Sequence, residues 1–539
     1  MRIPPLLRRA ISLADRTPPE RNRYVDFLRV VSILVVVLGH WLMVAVWTDG
    51  SGLRAENLLG LVPRAAWVTW LLQVMPIFFF VGGFANLASW RSARRRHIPY
   101  GAWLRERLRR LLLPVLPLLA LWAAIGQVSW WMGVEPRLLQ VASRAALVPV
   151  WFLAAYVVIV AIAPATLGAW ERWGWSSVVA GAAAAGAVDL LTLTGVAVPL
   201  QWSNYLFVWG TVHQLGFAWA EGRLTGRAPA FALGGLLTTW ILVAVGPYPV
   251  AMVGLDGGGV TNSNPPRVTL VALAVFQIGL VLAAERPVRR WLRRRGPWVG
   301  TVLVSGSIMT LYLWHLTAAV ALVALTATAL DGLGLGPVPT TPRWWATRPI
   351  WFAAAGVATI PLLALFGRFE RPRSDPRPAP PPLRPLLAIV LTTAGLGLLA
   401  RFGIVDEDGL NVFGVALPLV GVLLGGVVAV PAGPSGSSIP LRDRLSPDGG
   451  HEVGMGTGDG RPAPARIQIQ PGPTPLERDL GDDAADDHHG PHRSRNGPDR
   501  AGADHPEEHE RAPDGPRPQR RPPGTSISRV GLLGDGEAP

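Results

Sequence analysis

The chain has 539 residues, half of them hydrophobic and only 16% charged, with a formal net charge of +14. With a mean hydropathy of +0.32, that profile excludes an ordinary soluble enzyme and fits a multi-span membrane protein. The absence of cysteine excludes disulfides, zinc–thiolate sites and thiol nucleophiles.

The basic excess lies in short loops between apolar runs instead of forming one stripe, so it reads as topology and possible anion binding, with no nucleic-acid role. Every basic side chain apart from histidine is arginine, which fits a bias of the source genome.

In chain order, residues 1–19 are basic and proline-containing and read as a cytoplasmic N-terminus without a signal peptide. The first apolar run, 24–47, opens on Arg21-Asn-Arg-Tyr-Val-Asp-Phe-Leu-Arg29 and continues to Gly39-His40. Eleven residues at about 100° each are three turns plus roughly 20°, so Arg29 and His40 share a helix face, about 16 Å apart along the axis. That places His40 near mid-depth of a bilayer core. Ionisable groups there are costly, which makes His40 a candidate for function; the alternative is a packing histidine bonded to a neighbouring helix.

Further apolar runs follow at 67–90, 111–133, 146–169, 177–198, 203–220, 230–252, 267–283, 298–327 and 344–366, then at 383–402 and 410–431. Basic loops at residues 2–23, 91–110 and 286–295 alternate with arginine-poor loops at 48–66, 134–145, 253–266 and 328–343. By the positive-inside rule the N-terminus is cytoplasmic, and the chain returns there at Arg368-Phe-Glu-Arg-Pro-Arg373 after ten spans. A proline-rich linker, 374–382, separates the ten-span domain, 20–373, from two extra spans within 383–431. Residues 432–539 are rich in Pro, Gly, Asp, His and Arg and are expected to be a disordered cytoplasmic tail. Their Asp482-Asp483 to His488-His489 tract reads as solvated polar sequence, and no metal site is expected.

Several motifs, taken together, resemble the membrane-bound acyltransferase 3 family. They are Arg29 and His40 in the first span, Pro76-Ile-Phe-Phe-Phe-Val-Gly-Gly83-Phe84 in the second, and Arg107-Leu-Arg-Arg110 with Pro114 at the third. Trp151-Phe-Leu-Ala-Ala-Tyr156, Tyr312-Leu-Trp-His315 and Glu370-Arg-Pro372 complete the set, which covers roughly residues 20–373 in order. The family often has serine where this chain has Gly82. Members O-acylate sugars, glycolipids, cell-envelope polymers and some small metabolites, commonly from cytoplasmic acyl-coenzyme A.

The resemblance implies an all-α polytopic acyltransferase with a ten-helix core. Its co-substrate would be acyl-CoA, acetyl-CoA foremost, its acceptor a carbohydrate or lipid-linked hydroxyl, and its surroundings membrane lipids. His40 is then the general base, or a transient acyl carrier. Arg107 and Arg110 point the same way at what reads as a helix start, where guanidinium groups, the dipole and free amides would hold donor phosphates. Topogenic charge is the plainer alternative for both. Arg29 either binds an anion or pairs with Asp26, one turn earlier.

Tyr312 and His315 contact the acceptor or bridge helices. Glu370 either pairs with Arg107 and Arg110 or is a flanking charge. Trp151 and Tyr156 read as a sugar-stacking or packing pair, or else as aromatics of the interfacial belt. His213 has no motif behind it and is left structural. Two rivals stand beside the acyltransferase: a proton-coupled transporter or flippase using His40, Asp189 and His315, and a non-catalytic scaffold acting through the tail.

Overall fold

Apolar stretches in a membrane close their backbone hydrogen bonds internally, and the runs fold accordingly as helices. The computed structural model describes residues 5–49, 52–254, 260–331, 337–370, 377–406 and 409–428; the tail, with its Asp482–His489 tract, lies outside the described residues.

The chain opens with α1 (Pro5–Asp15) and α2 (Arg23–Met43), then a hairpin of β1 (Val44–Asp49) and β2 (Gly52–Asn57). Two short turns, α3 (Leu58–Leu61) and α4 (Thr69–Leu72), lead into α5 (Met75–Arg95), α6 (Tyr100–Leu112) and α7 (Val115–Trp131). Next come α8 (Pro136–Trp173), α9 (Trp175–Leu193), α10 (Asn204–Ala220), α11 (Ala228–Val245) and α12 (Val268–Trp291). The series ends with α13 (Arg295–Ser305), α14 (Ile308–Asp331), α15 (Pro342–Phe366), α16 (Leu383–Phe402) and α17 (Val412–Leu424). Among the described residues nine helices are long and apolar enough to cross a membrane, or ten if α6 and α7, bent by 42°, count as one span. The other two apolar runs are α10, which is 17 residues long and heavily buried, and the 13-residue α17.

Leu233, Trp240, Val245, Ile350, Val357 and Ile360 on α11 and α15 are exposed apolar side chains, as helices facing lipid require. Inside, small residues let helices approach closely. Gly83 of α5 abuts the His213 carbonyl of α10, and Gly216 of α10 abuts the Phe80 carbonyl, so neither position has room for a Cβ.

Three details depart from the sequence reading. Residues 5–15 form a helix, whose Ala10 and Ala14 pack on Trp298 and Val299 of α13. The first run leaves helical geometry at Val44 and continues as a strand, because hydrophobicity alone does not separate helix from extended chain. His40 therefore lies in the last turn of α2. The run 298–327 breaks at Gly306–Ser307 into α13 and α14.

Asp189 is committed to structure. Its buried carboxylate accepts from Asn204 Nδ2 at 2.8 Å, Tyr248 Oη at 3.0 Å, the Val268 amide at 2.8 Å and Arg267 Nη1 at 3.2 Å. These bonds tie α9 to α10, the loop after α11 and the start of α12, satisfying a group that would be costly to bury alone.

A Gly83→Ala change should destabilise the fold by about 1–3 kcal/mol or more, since backbone on both sides of the crossing must move. Gly39→Ala, with open space around it, should be near neutral. Thermal unfolding of the purified proteins in detergent checks the contrast.

Candidate active site

The site grows from α2 and α14. Asn22 caps α2 by accepting from the Val25 amide at 3.3 Å, and about five turns later the helix presents His40. Its Nδ1 lies 2.8 Å from Nε2 of His315, and the two rings lie edge to edge, centroids 5.1 Å apart with 7° between their planes. On the far side, His315 Nδ1 lies 2.7 Å from the Tyr312 carbonyl oxygen.

That carbonyl only accepts, so His315 Nδ1 carries the proton and donates it. Neutral His315 then offers Nε2 as an acceptor, and His40 donates from Nδ1. The proton order is fixed along the chain Tyr312 carbonyl, His315, His40. His40 Nε2 keeps its lone pair, with no protein partner among the described residues. His40 is half-buried and His315 fully buried, so the pair has one open end.

Neighbouring bonds hold the pair in place. The Trp41 indole donates to the His315 carbonyl at 3.0 Å, and the Trp351 indole of α15 donates to the Trp41 carbonyl at 2.8 Å. Tyr312 donates to the Pro149 carbonyl of α8 at 2.9 Å, so it bridges helices here. Glu370 has a role neither sequence alternative named. Its carboxylate accepts from the Met309 amide at 3.0 Å, the Thr310 amide at 3.2 Å and the Thr310 hydroxyl at 2.8 Å. It thereby caps α14, the helix that carries Tyr312 and His315, at the end where backbone N–H groups lack intrahelical partners.

The arginines lie toward the basic end. Arg107 is half-buried, with its guanidinium 5.9 Å from the Trp103 ring, and its electrostatic neighbours are Tyr156, Arg110, Arg29 and Glu106. Arg110 is exposed and pairs with Glu106 at 3.0 Å. Arg29 is exposed, and of its two alternatives the pairing with Asp26 is not made: Asp26 binds Arg21 at 2.6 Å, across the turn that precedes α2.

The helix-start argument for Arg107 and Arg110 also needs correction. Both sit in the last two turns of α6, before the break at Leu113–Pro114, so the local dipole favours their own charge and offers no free amides.

Aromatic rings link the two ends of the site. Tyr156 stacks on Phe152 at 5.7 Å, and Phe152 meets Tyr312 edge-on at 5.7 Å. Gly82 faces the Tyr156 ring so closely that a Cβ there would come within 2.9 Å of it. Trp151 and Tyr156 are not one pair: five residues apart, they stand about 140° apart around α8. Trp151 turns to Tyr205 of α10, at 6.2 Å.

Sequence reasoning missed two features. At the basic end, Glu221 accepts from Arg91 at 2.6 Å and Trp170 at 2.9 Å, and pairs with Arg223 at 3.1 Å. Burial alone would raise its carboxyl, but these bonds and the two guanidinium charges hold it below the usual range. Toward the arginine-poor end, Arg348 lies between the Trp344 and Trp351 rings, 4.0 and 5.4 Å from their centres. Its sequence signal was a lone arginine in a run otherwise free of charge. Among the described residues no group of three His, Asp or Glu side chains is placed to hold a metal ion.

The proton order predicts that His40 and His315 both hold the Nδ1–H tautomer at neutral pH. Imidazole ¹⁵N chemical shifts of labelled protein, assigned with His40→Gln and His315→Gln, should show it; an Nε2–H pattern at His40 would remove the open lone pair.

Residues 22–368 match the family model described as an acyltransferase domain, of the acyltransferase 3 type. No curated protein and no solved structure matches the chain. The match spans well over half of the sequence, so this multi-pass membrane protein belongs to the acyltransferase 3 family and is an acyltransferase.

Proposed function

We propose that the protein moves a small acyl group, acetyl foremost, from acyl-coenzyme A to a hydroxyl of a carbohydrate, glycolipid or cell-envelope acceptor. The observation that carries this reading is the open Nε2 of His40, at the end of a hydrogen-bonded pair whose proton order is set by a carbonyl.

His40 acts as general base. Nε2 takes the acceptor's hydroxyl proton as that oxygen attacks the thioester carbonyl, and returns it as the coenzyme A sulfur leaves. His315 positions the imidazole and accepts a hydrogen bond from the Nδ1–H of the transient imidazolium, the job a carboxylate has in a Ser-His-Asp triad. A carbonyl-anchored histidine does this without burying a second formal charge. Arg107, with Arg110 and Arg29, binds donor phosphates at the basic end, which on this reading faces the cytoplasm, with the N-terminus, at a cell membrane; the alternation of basic and arginine-poor loops supports that orientation. Transfer through a transient acyl-histidine uses the same Nε2 and remains the mechanistic alternative.

The transporter reading loses its best support, because Asp189 is bonded to four groups at the arginine-poor end and is no free member of a proton relay.

The test is turnover of radiolabelled acetyl-coenzyme A by purified protein in detergent. His40→Ala should lower kcat by about 10²-fold or more, and His315→Ala should also lower it with little change in donor KM. Paired Arg107→Ala and Arg110→Ala changes should raise donor KM by roughly tenfold or more while sparing kcat. Undiminished turnover in His40→Ala would overturn the assignment of the base.

A further inference from the structure

Residues 377–406 and 409–428 lie outside the family match, yet they are bound closely to the third span and to α8. That span is bent by 42° between α6 and α7. On the α6 side, Arg105 is only 6% exposed and donates to the carbonyls of Pro378 at 2.8 Å and Arg377 at 2.7 Å. Arg109 donates to the Val427 carbonyl at 2.6 Å, and Arg377 returns to the Gly426 carbonyl at 2.6 Å. Gly101 approaches the Pro380 carbonyl too closely for any side chain.

On the far side of the bend, Gly126 of α7 packs against Val405 and Ile404. The same segment is fixed to the neighbouring α8: the Ile404 amide donates to Ser143 Oγ at 3.1 Å, and Gln140 donates to the Phe402 carbonyl at 3.0 Å. Between these anchors α16 and α17 form a tight pair, with Gly395 against Pro418 and Gly421 against the Ala388 carbonyl.

Residues four apart share a helix face, so Arg105 and Arg109 look toward this pair. Arg107 and Arg110 stand about 200° and 140° around α6 from Arg105, on the opposite side. A buried guanidinium that holds two backbone carbonyls of a linker is no headgroup-facing topogenic charge.

We infer that α16, α17 and the proline-rich lead-in form a brace across the α6–α7 bend, and that Arg105, Arg109 and Arg377 are positioning residues that set where Arg107 and Arg110 stand. The consequence for catalysis rests on the donor-binding role proposed above; the mechanical part does not.

The cysteine-free chain makes a clean test possible. Spin labels on the full chain at Ala102→Cys, in α6, and Glu20→Cys, ahead of α2, report the position of α6 by pulsed electron resonance. Arg105→Gln and Arg377→Gln should each shift or broaden that distance, and Arg105→Lys, which can keep one bond, should do so less. The same variants without labels should raise the KM for acetyl-coenzyme A about tenfold, with kcat within about twofold. A merely structural role would instead lower the unfolding temperature and kcat together.

An unchanged distance in both glutamine variants would overturn the brace. A moved distance with unchanged donor KM would overturn the positioning role. If the distance moves and even the unsubstituted protein turns over no acetyl-coenzyme A, the brace stands and the donor reading falls. Should Arg105→Gln not fold, Arg377→Gln carries the same test from the linker side.

Discussion

The hydrogen bond from His315 Nδ1 to the Tyr312 carbonyl is short, at 2.7 Å, and lies within one turn of one helix, yet the chemistry of the site depends on it. Without it either tautomer of His315 would be available, and the bond to His40 could run in either direction. With it, His40 has a single neutral form with an open Nε2. The surrounding structure keeps α14 at the height where that bond meets His40. Glu370 caps the start of the helix, Tyr312 is bound to α8, and Trp41 reaches across from α2.

The same physics separates structural polar groups from reactive ones. In a low-dielectric interior an unpaired polar group is costly, so most are fully engaged. Asp189 has four donors and Glu221 has two arginines and an indole. His40 is satisfied on one nitrogen only, as is His213 through Asn86, but His213 is fully buried whereas His40 is only half-buried. About 16 Å of helix separates His40 from Arg29, a length suited to the extended arm of the proposed acyl-coenzyme A donor. The aromatic ladder Tyr156–Phe152–Tyr312 runs from an electrostatic neighbour of Arg107 to the residue whose carbonyl anchors His315.

Much of the fold was legible because its signal is local. Apolar runs and arginine alternation marked the helices, and an ordered set of short motifs marked the family. What escaped was long-range or depended on backbone geometry. His40 and His315 are 275 residues apart, and no pattern within either span says that they touch. Glu370 looked like one charge among arginines, because its partners are backbone amides, which no sequence displays. Hydropathy hid the hairpin at Val44–Asn57, since valine and alanine suit a strand as well as a helix end. Proximity in sequence misled for Asp26, whose partner is Arg21 and not Arg29.

The four arginines of α6 show how far a compositional rule extends. Arg105, Arg107, Arg109 and Arg110 fall within six residues, and charge counting treats them alike as markers of membrane orientation. Helical phase divides them. Arg105 and Arg109 give their donors to carbonyls of residues 377, 378 and 427, which as linker and helix-end oxygens lack a partner in a regular ladder. Arg107 and Arg110 stand on the other side of the helix, with Arg29 among the electrostatic neighbours of Arg107. Like charges brought together at the edge of an apolar core repel one another, and a helix carrying them needs an external hold to keep them close. Two of the four arginines supply that hold, so one short basic segment contains both the cluster of charge and the anchor that keeps it in place.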